Sequence, residues 1–435
     1  MKKIINKSPL FTVIIPCKNR AKYLHQTLRT CMMQNYENLE VIVSDDGSTD
    51  NLREVVEDAA SRDSRIRYLK LPAGTGMLHN FEYALQQVKP GYVIALGGDD
   101  GLLPDGIQGM SDTIMDTGMD LLAWPAPTYY YPGIRGANGQ LCITRDKGVK
   151  IIDSSDFLNR QAKNLHYSSD RESPMIYIKG VASTELIEKV RQRTSGGVFY
   201  SCPTPDGYSG IVLAGEVASY AYSGKPFSII GVSPSSQGLT YLSDSEYAKK
   251  ISQEFFSNTS SRSMHHELAS QPYSPLISLM TVDYLLTAQD LPGWGGNVPP
   301  IDFRRVLLKA LDELSYGMYG EERIGRELSI LYQIALMHGL EEFFSKKVRS
   351  LKRYRQRLHF TGNGINAYGI YLDGGSYKLH NIFDAAYAAQ NITQVYSDLT
   401  SISLVADIAR SFVYRIRAMR KGKAFLHESE WIKAD

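Results

Sequence analysis

The strongest constraint on the fold is an alternation near the start of the chain. Phe11 to Ile15, Asn38 to Ser44, Ile66 to Leu69 and Tyr92 to Leu96 are short apolar runs rich in β-branched residues, as buried strands are. Between them, Ala21 to Met33, Asn51 to Ser61 and Met77 to Val88 repeat apolar residues at helical spacing. Strands alternating with helices in this way form a mostly parallel sheet covered on both faces. Such sheets bind ligands beyond the carboxyl ends of their strands. The polar clusters PCKNR, SDDGSTD, AGTGMLHN and GGDD all fall there. No GxGxxG follows the first strand and no P-loop is present, which argues against a dehydrogenase or a P-loop enzyme.

Within this pattern, Gly91 to Asp105 reads as one unit: a strand, the break Gly97-Gly98, the acid pair Asp99-Asp100, and a helix opened by Pro104-Asp105 with Asp105 as its cap. Two acids at the end of a buried strand are costly unless something positive meets them. A divalent cation, basic side chains or backbone N–H groups would do so, and the expectation is a metal ion carrying a nucleoside diphosphate.

Bulk properties narrow the class. A net charge of +2 over 435 residues argues against a nucleic-acid binder working by bulk electrostatics. Cys17, Cys31, Cys142 and Cys202 form no CxxC pair, which predicts free thiols and no zinc site. The basic-then-apolar start is too short and too proline-interrupted for a signal peptide, and no stretch reads as a membrane span. The expectation is a cytoplasmic protein, at most peripheral on the inner face of the cell membrane.

VIIPCKNRAKYL, EVIVSDDGSTDN and YVIALGGDDGLLPD, in this order and spacing, resemble a family 2 glycosyltransferase of the GT-A fold over Ser8 to Asp105. The resemblance implies a Rossmann-like α/β sheet and a nucleotide-sugar donor, a UDP-, GDP- or dTDP-sugar. It implies that Pro16 and Asn19 hold the nucleotide, that Asp45 and Asp46 contact base and ribose, and that Gly76 and Asn80 face the nucleotide and its phosphates. It implies Mn²⁺ or Mg²⁺ at Asp99, with Asp100 as second choice. The sequence departs from the family in two places: Gly97 stands where an Asp is common, and His79 where many relatives have Arg. The resemblance further implies an inverting reaction, with Asp206 ahead of a helix beginning near Tyr208 as the base for the acceptor hydroxyl. The acceptor would be a saccharide or a lipid-linked saccharide in surface polysaccharide synthesis. A sugar nucleotidyltransferase, or a non-catalytic nucleotide-sugar-binding or scaffold protein, are the alternatives.

The rest of the chain is less specific. Trp124 and Tyr129 to Tyr131 suit either a sugar-stacking wall or interior packing, and Ser233, Ser235 and Ser236 either close on a pyrophosphate or form a plain loop. Glu216 lies well into a helix and reads as salt-bridged. His265-His266 are poorly arranged for one metal. Motifs stop near Gly238. A GT-A domain over residues 1–240 (nucleotide-sugar binding in 1–105, acceptor side in 106–240) is expected, followed by a helical region over 241–435. Pro275 to Ala288, capped by Ser274, is predicted to be its first clear helix. The basic run Lys346 to Arg357 and the amphipathic stretch Ile402 to Arg420 fit a membrane surface, a solvated helix face or a homo-oligomer contact.

Overall fold

The computed structural model describes residues 8–72, 74–134, 137–144, 146–241, 246–259, 262–315, 319–352, 362–366 and 369–396. The predicted alternation is present as β1 (Phe11–Cys17), α1 (Ala21–Met32), β2 (Leu39–Asp45), α2 (Leu52–Arg62), β3 (Ile66–Lys70), α3 (Met77–Gln86) and β4 (Tyr92–Ala95). These strands lie side by side in the order β3, β2, β1, β4, all parallel. Successive side chains of a strand point to opposite faces. Phe11, Val13 and Ile15 of β1 accordingly enter the core under α1 and α2, while Ile14 enters the core under α3. Burial on both faces is why these strands read as continuous apolar runs.

The sheet then turns mixed. Gly180–Ser183 pairs antiparallel with β4 and with Leu121–Ala123, Ser219–Ser223 runs parallel to Leu121–Ala123, and Val149–Asp153 closes the edge. A second sheet crosses the carboxyl end of the first, with Gly101–Leu102, Ser228–Val232, Thr128–Tyr130 and Gln140–Thr144 in order. DLLAWPAPTYYY therefore supplies two strands to two sheets. Pro125 and Pro127 lack the N–H needed to continue a ladder and lie at the crossing.

The region after residue 240 is mainly helical, and it shares cores with what precedes it. Helix Ile277–Gln289 lies in the same core as helix Pro205–Ala214, through Met280, Tyr284 and Leu285 against Tyr208, Ile211 and Val212. The hairpin Gly364–Asn366 and Gly369–Asp373 extends the second sheet beside Gln140–Thr144. Helix Ile382–Tyr396 covers that sheet, and its Gln390 donates to Asp105 Oδ2 at 2.7 Å. Asp105 occupies the cap position of helix Gly106–Thr117, yet its side chain makes no cap bond.

The first helix described after residue 241 is Glu246–Thr259, and capping is corrected in the helix expected over Pro275 to Ala288. It starts at Ile277, two residues beyond Pro275, with Leu276 at the cap. Glu313 accepts from Ile277 N at 2.7 Å and Ser278 N at 2.9 Å, so a distant carboxylate does the work expected of Ser274. Ser274 instead donates to buried Glu327 at 2.5 Å. Among the described residues no helix is long and apolar enough to cross a membrane. Lys346 to Arg349 end helix Glu341–Arg349. Residues 353–361 and the stretch Ile402 to Arg420 lie outside the described residues.

Candidate active site

The strand ends are level. Register places Cys17 of β1 opposite Asp45 of β2, and Asp45 opposite Lys70 of β3. The polar loops that follow are therefore gathered at one edge, and hydrogen bonds tie them together. Asn19, at φ +52, accepts from Thr49 N at 2.8 Å through Oδ1, and its own N–H donates to Ser48 Oγ at 2.8 Å. Asp45 accepts from Ser48 N at 2.8 Å and from the Tyr68 hydroxyl at 2.7 Å. That carboxylate, with burial as the larger cause, pushes the Tyr68 phenol well above its usual range. Asp46 accepts from Thr75 N at 2.8 Å and Gly76 N at 3.1 Å, with Lys18 Nζ at 3.9 Å.

Four of the expected donor residues thus organise the loops themselves. Pro16 is a buried member of β1, opposite Ser44. Asn80 is buried beneath the loops and clamps β2 to β1: Ser44 Oγ donates to it at 2.6 Å, and it donates to the carbonyls of Ser44 and Cys17 at 3.1 and 3.4 Å. Gly76 precedes α3 at φ +88, with the Asn258 side chain 3.3 Å from where a Cβ would stand. His79 is exposed.

The two motif acids have different fates. Both oxygens of Asp100 are consumed inside the protein, Oδ2 by Gly97 N at 2.6 Å and Oδ1 by Gly231 N at 2.8 Å. Burial, then the charge of Asp99, raises its pKa well above the carboxylate range. Asp99 Oδ2 accepts from the Ser233 and Ser236 hydroxyls at 2.6 and 2.7 Å, and Oδ1 accepts from none of the described residues. The Ser/Gly loop therefore closes on the acid motif, where the Ser235 carbonyl also accepts from Arg20. The donor set fits a hard divalent cation only as an open site, with one carboxylate and the remaining positions left to phosphate and water.

Gly231 makes the crossing of the two sheets possible. A Cβ there would collide with the Asp99 carbonyl oxygen. Gly231→Ala should therefore lower stability by about 3 kcal/mol or more by overpacking, read as a fall in the chemical-denaturation midpoint. An unchanged midpoint would show that this crossing is loose.

Asp206 sits in the first turn of helix Pro205–Ala214, one residue inside it, whereas the helix was expected to begin near Tyr208. Pro205 takes the first position, where its missing N–H is harmless. Asp206 Oδ2 accepts from the Tyr167 hydroxyl at 3.1 Å, and Oδ1 is buried with no hydrogen-bond partner among the described residues. Burial raises its pKa; the Gly207 N–H, Tyr167 and the Lys179 charge oppose this. Burial pulls the Lys179 ammonium down to about 8, and its Nζ donates to the Asp170 carbonyl at 2.7 Å. Burial first, then the charges of Asp100, Asp99 and Asp206, push the Tyr177 phenol well above its usual range. Tyr167, Tyr200, Tyr241, Tyr273 and Tyr284 also face the Asp206 charge, which gives many of the chain's 28 tyrosines one location.

The segment bearing Asp206 is anchored by Glu82 of α3. Its carboxylate accepts from Phe199 N at 2.9 Å, Tyr200 N at 3.0 Å and Arg191 at 3.0 Å. Glu82→Ala leaves a partly buried guanidinium and two buried N–H groups without this partner, and should cost about 2–3 kcal/mol. Thermal melting checks this; a loss below ~1 kcal/mol would contradict it.

Sequence reasoning missed Tyr177 and Lys179, because an isolated Tyr or Lys in an apolar stretch carries no motif. The aromatic run proves to be packing. Trp124 and Tyr129 are fully buried, Trp124 bonded to Ser228 at 2.8 Å and Tyr129 to the Leu379 carbonyl at 2.7 Å. Glu216 is paired with Arg193 at 2.6 Å, as expected. His265, His266 and Asp290 bring ligand atoms within 4.8 Å. However, His265 Nδ1 accepts from Glu267 N at 3.1 Å, so Nε2 carries the proton that meets Asp290 at 2.8 Å and has no lone pair for a metal.

Residues 12–155 match the family described as Glycosyl transferase family 2. Glycosyltransferase GlyG of Streptococcus pneumoniae is 26% identical over 37% of this chain and 53% of its own length. A hyaluronan synthase of Pasteurella multocida is 34% identical over 24% of this chain and 11% of its own length. The match to an uncharacterized glycosyltransferase of Haemophilus influenzae, 31% identical, takes in 23% of this chain and 40% of that protein, so the chain spans about half or less of these relatives. Among solved structures, S. aureus TarS shares 15% identity at a TM-score of 0.42, over 78% of this chain and 55% of that one. The residues that match this family model thus include the parallel strands β1 to β4 and the polar loops gathered at their carboxyl ends.

Proposed function

We propose that the protein is an inverting glycosyltransferase. It moves a sugar from a UDP-, GDP- or dTDP-sugar to a hydroxyl of a saccharide or lipid-linked acceptor in surface polysaccharide synthesis. The observation that carries this reading is Asp206 Oδ1, a buried carboxylate oxygen with no partner among the described residues, near enough to Tyr177 that the phenol feels its charge together with those of Asp99 and Asp100. The curated relatives act in related chemistry by their names, which include the hyaluronan synthase and a putative teichuronic acid biosynthesis glycosyltransferase of Bacillus subtilis.

In this reading the loops at Asn19, Asp45, Asp46 and Gly76 form the nucleotide's bed, and Asp99 would hold a divalent cation. A bound Mn²⁺ or Mg²⁺ supplies charge neutralisation for the leaving diphosphate. Asp206 removes the proton from the acceptor hydroxyl. That oxygen attacks the anomeric carbon from the face opposite the leaving group, the bond to the diphosphate breaks, and configuration inverts. The Tyr167 hydroxyl steadies the base through Oδ2, which leaves Oδ1 for the proton. Raised basicity in a buried site suits a carboxylate to this task.

The test is incubation with UDP-, GDP- and dTDP-sugars and Mn²⁺, with and without chelator. Released nucleoside diphosphate and the product's anomeric configuration are measured. Turnover with inversion supports the reading. Retention of configuration, or no binding or turnover of any nucleotide-sugar, removes it.

A further inference from the structure

Several phenols face the charge of Asp206, and most of their hydroxyls have partners. Tyr167 donates to Asp206 Oδ2 at 3.1 Å, and Tyr177 hydrogen-bonds Asp100. Tyr273 and Tyr284 both meet Thr204 Oγ1, the former at 3.4 Å. Tyr200 and Tyr241 differ. Their hydroxyls are buried with no hydrogen-bond partner among the described residues, in residues that are 2% and 7% exposed. A buried hydroxyl left unpaired is costly, and in a native protein it calls for a reason.

Both side chains are held firmly around Asp206. Tyr200 N donates to Glu82 at 3.0 Å, and its ring meets Phe199 and Phe81 edge-on at 4.8 and 5.8 Å between centroids. Phe81 also packs on Tyr177, at 5.9 Å. Tyr241 packs on Phe255 at 5.3 Å, and Phe255 on Tyr273 at 5.5 Å. Tyr273 in turn bonds Thr204, the cap of the helix that carries Asp206. Burial chiefly, with the charge of Asp206 among the lesser causes, raises both phenols above their usual range. Gln237 is near enough to influence the Tyr241 phenol, and its Nε2 is also buried with no hydrogen-bond partner among the described residues.

Charge decides what these hydroxyls can meet. The cation whose charge reaches Asp206 is Lys179, and its Nζ is turned to the Asp170 carbonyl at 2.7 Å. A carboxylate or phosphate brought beside Asp206 would go uncompensated. A phenol can donate one hydrogen bond and accept others, and a sugar hydroxyl does the same. We propose that Tyr200 and Tyr241 bind the acceptor: their hydroxyls take two further hydroxyls of an uncharged sugar whose reacting hydroxyl Asp206 deprotonates. The proposal rests on the base assignment above. Solvent reaches neither phenol oxygen in this structure, so the sugar enters as the cover over them shifts. Over Tyr241 that cover is Phe255 and Phe256 of helix Glu246–Thr259. The same helix is tied to the donor loops by Glu254, which accepts from Lys18 at 2.5 Å in a partly exposed pair of the kind that adds little stability.

Transfer from the nucleotide-sugar that the protein accepts is measured to methyl β-glucopyranoside, methyl N-acetyl-β-glucosaminide and methyl β-glucuronide. Wild type should prefer the neutral glycosides to the glucuronide by about 100-fold in kcat/KM. Tyr200→Phe and Tyr241→Phe should each lower kcat/KM for the neutral glycosides about tenfold, while nucleoside diphosphate binding stays near wild type. Both variants should melt at or above the wild-type temperature, because the free protein loses no bond. That readout needs no turnover, and a lower melting temperature for Tyr200→Phe overturns the proposal by showing that its hydroxyl serves the fold. Unchanged transfer in either variant overturns it too, as does transfer to the glucuronide that matches the neutral glycosides, or no product with either neutral glycoside. If wild type binds and turns over no nucleotide-sugar, the glycosyltransferase reading fails and this subsite falls with it. If wild type transfers sugar and the variants match it, the subsite alone fails.

Discussion

Asp206→Asn is expected to reduce sugar transfer by about 10²–10⁴-fold, the range that general base catalysis supplies, while nucleoside diphosphate binding stays near wild type. The amide keeps the shape and an acceptor for the Tyr167 hydroxyl but cannot take a proton. Asp206 must be ionised to act, and its pKa is raised, so wild-type activity should fall on acidification at a pH above that of an ordinary aspartate, roughly 3.9. Stability moves in the opposite sense. A carboxyl whose folded pKa lies above its unfolded value contributes fully at low pH. That contribution is lost as pH rises through the window between the two values. Asp206→Asn removes this loss, so the variant should melt at or above the wild-type temperature at neutral pH. Transfer rates, nucleotide titrations and melting curves check the three statements. Loss of nucleotide binding in this variant would sink the base assignment.

Asp99→Ala is the second large effect, and its contrast with Asp100→Ala makes it informative. Asp99 keeps one oxygen uncommitted, and its other contacts are two serine hydroxyls. Its loss should weaken Mn²⁺-supported nucleoside diphosphate binding by roughly 100-fold with little change in melting temperature. Asp100 faces inward, and its removal strands the N–H groups of Gly97 and Gly231. Asp100→Ala should therefore cost about 2–3 kcal/mol or more of stability. Calorimetric titration paired with thermal melting separates the two. Equal loss of binding in two equally stable variants would mean that both acids reach the ligand.

Much of the site was legible because its residues are local in sequence. Each polar loop directly follows a buried strand, and parallel strands bring their carboxyl ends to one edge. The positions of Asn19, Asp45, Asp46 and Asp99 at that edge followed from the apolar pattern alone. Asp206 was singled out through resemblance, and the helix that carries it starts three residues earlier than expected, at Pro205 rather than near Tyr208. Thr204 at the cap and Pro205 at the first helical position mark the true start.

What escaped the sequence was long-range. The hydroxyls of Ser233 and Ser236 meet Asp99 from the far side of the chain, and Tyr177 reaches the motif only through a strained turn at Ile178. Trp124 and Tyr129 lost their role as a sugar-facing wall once two sheets closed over them. Glu313 displaced Ser274 as the cap of a helix thirty-odd residues away, because a packed neighbour can supply a carboxylate that local spacing cannot foresee. The sequence by itself determined the parallel strands and the gathering of their polar loops, since apolar periodicity is a property of neighbouring residues. Which of the two adjacent acids faces outward was decided by tertiary structure alone. Asp99 and Asp100 are chemically identical, and only the N–H of Gly231, delivered by a strand of the second sheet, turns Asp100 inward and leaves Asp99 open.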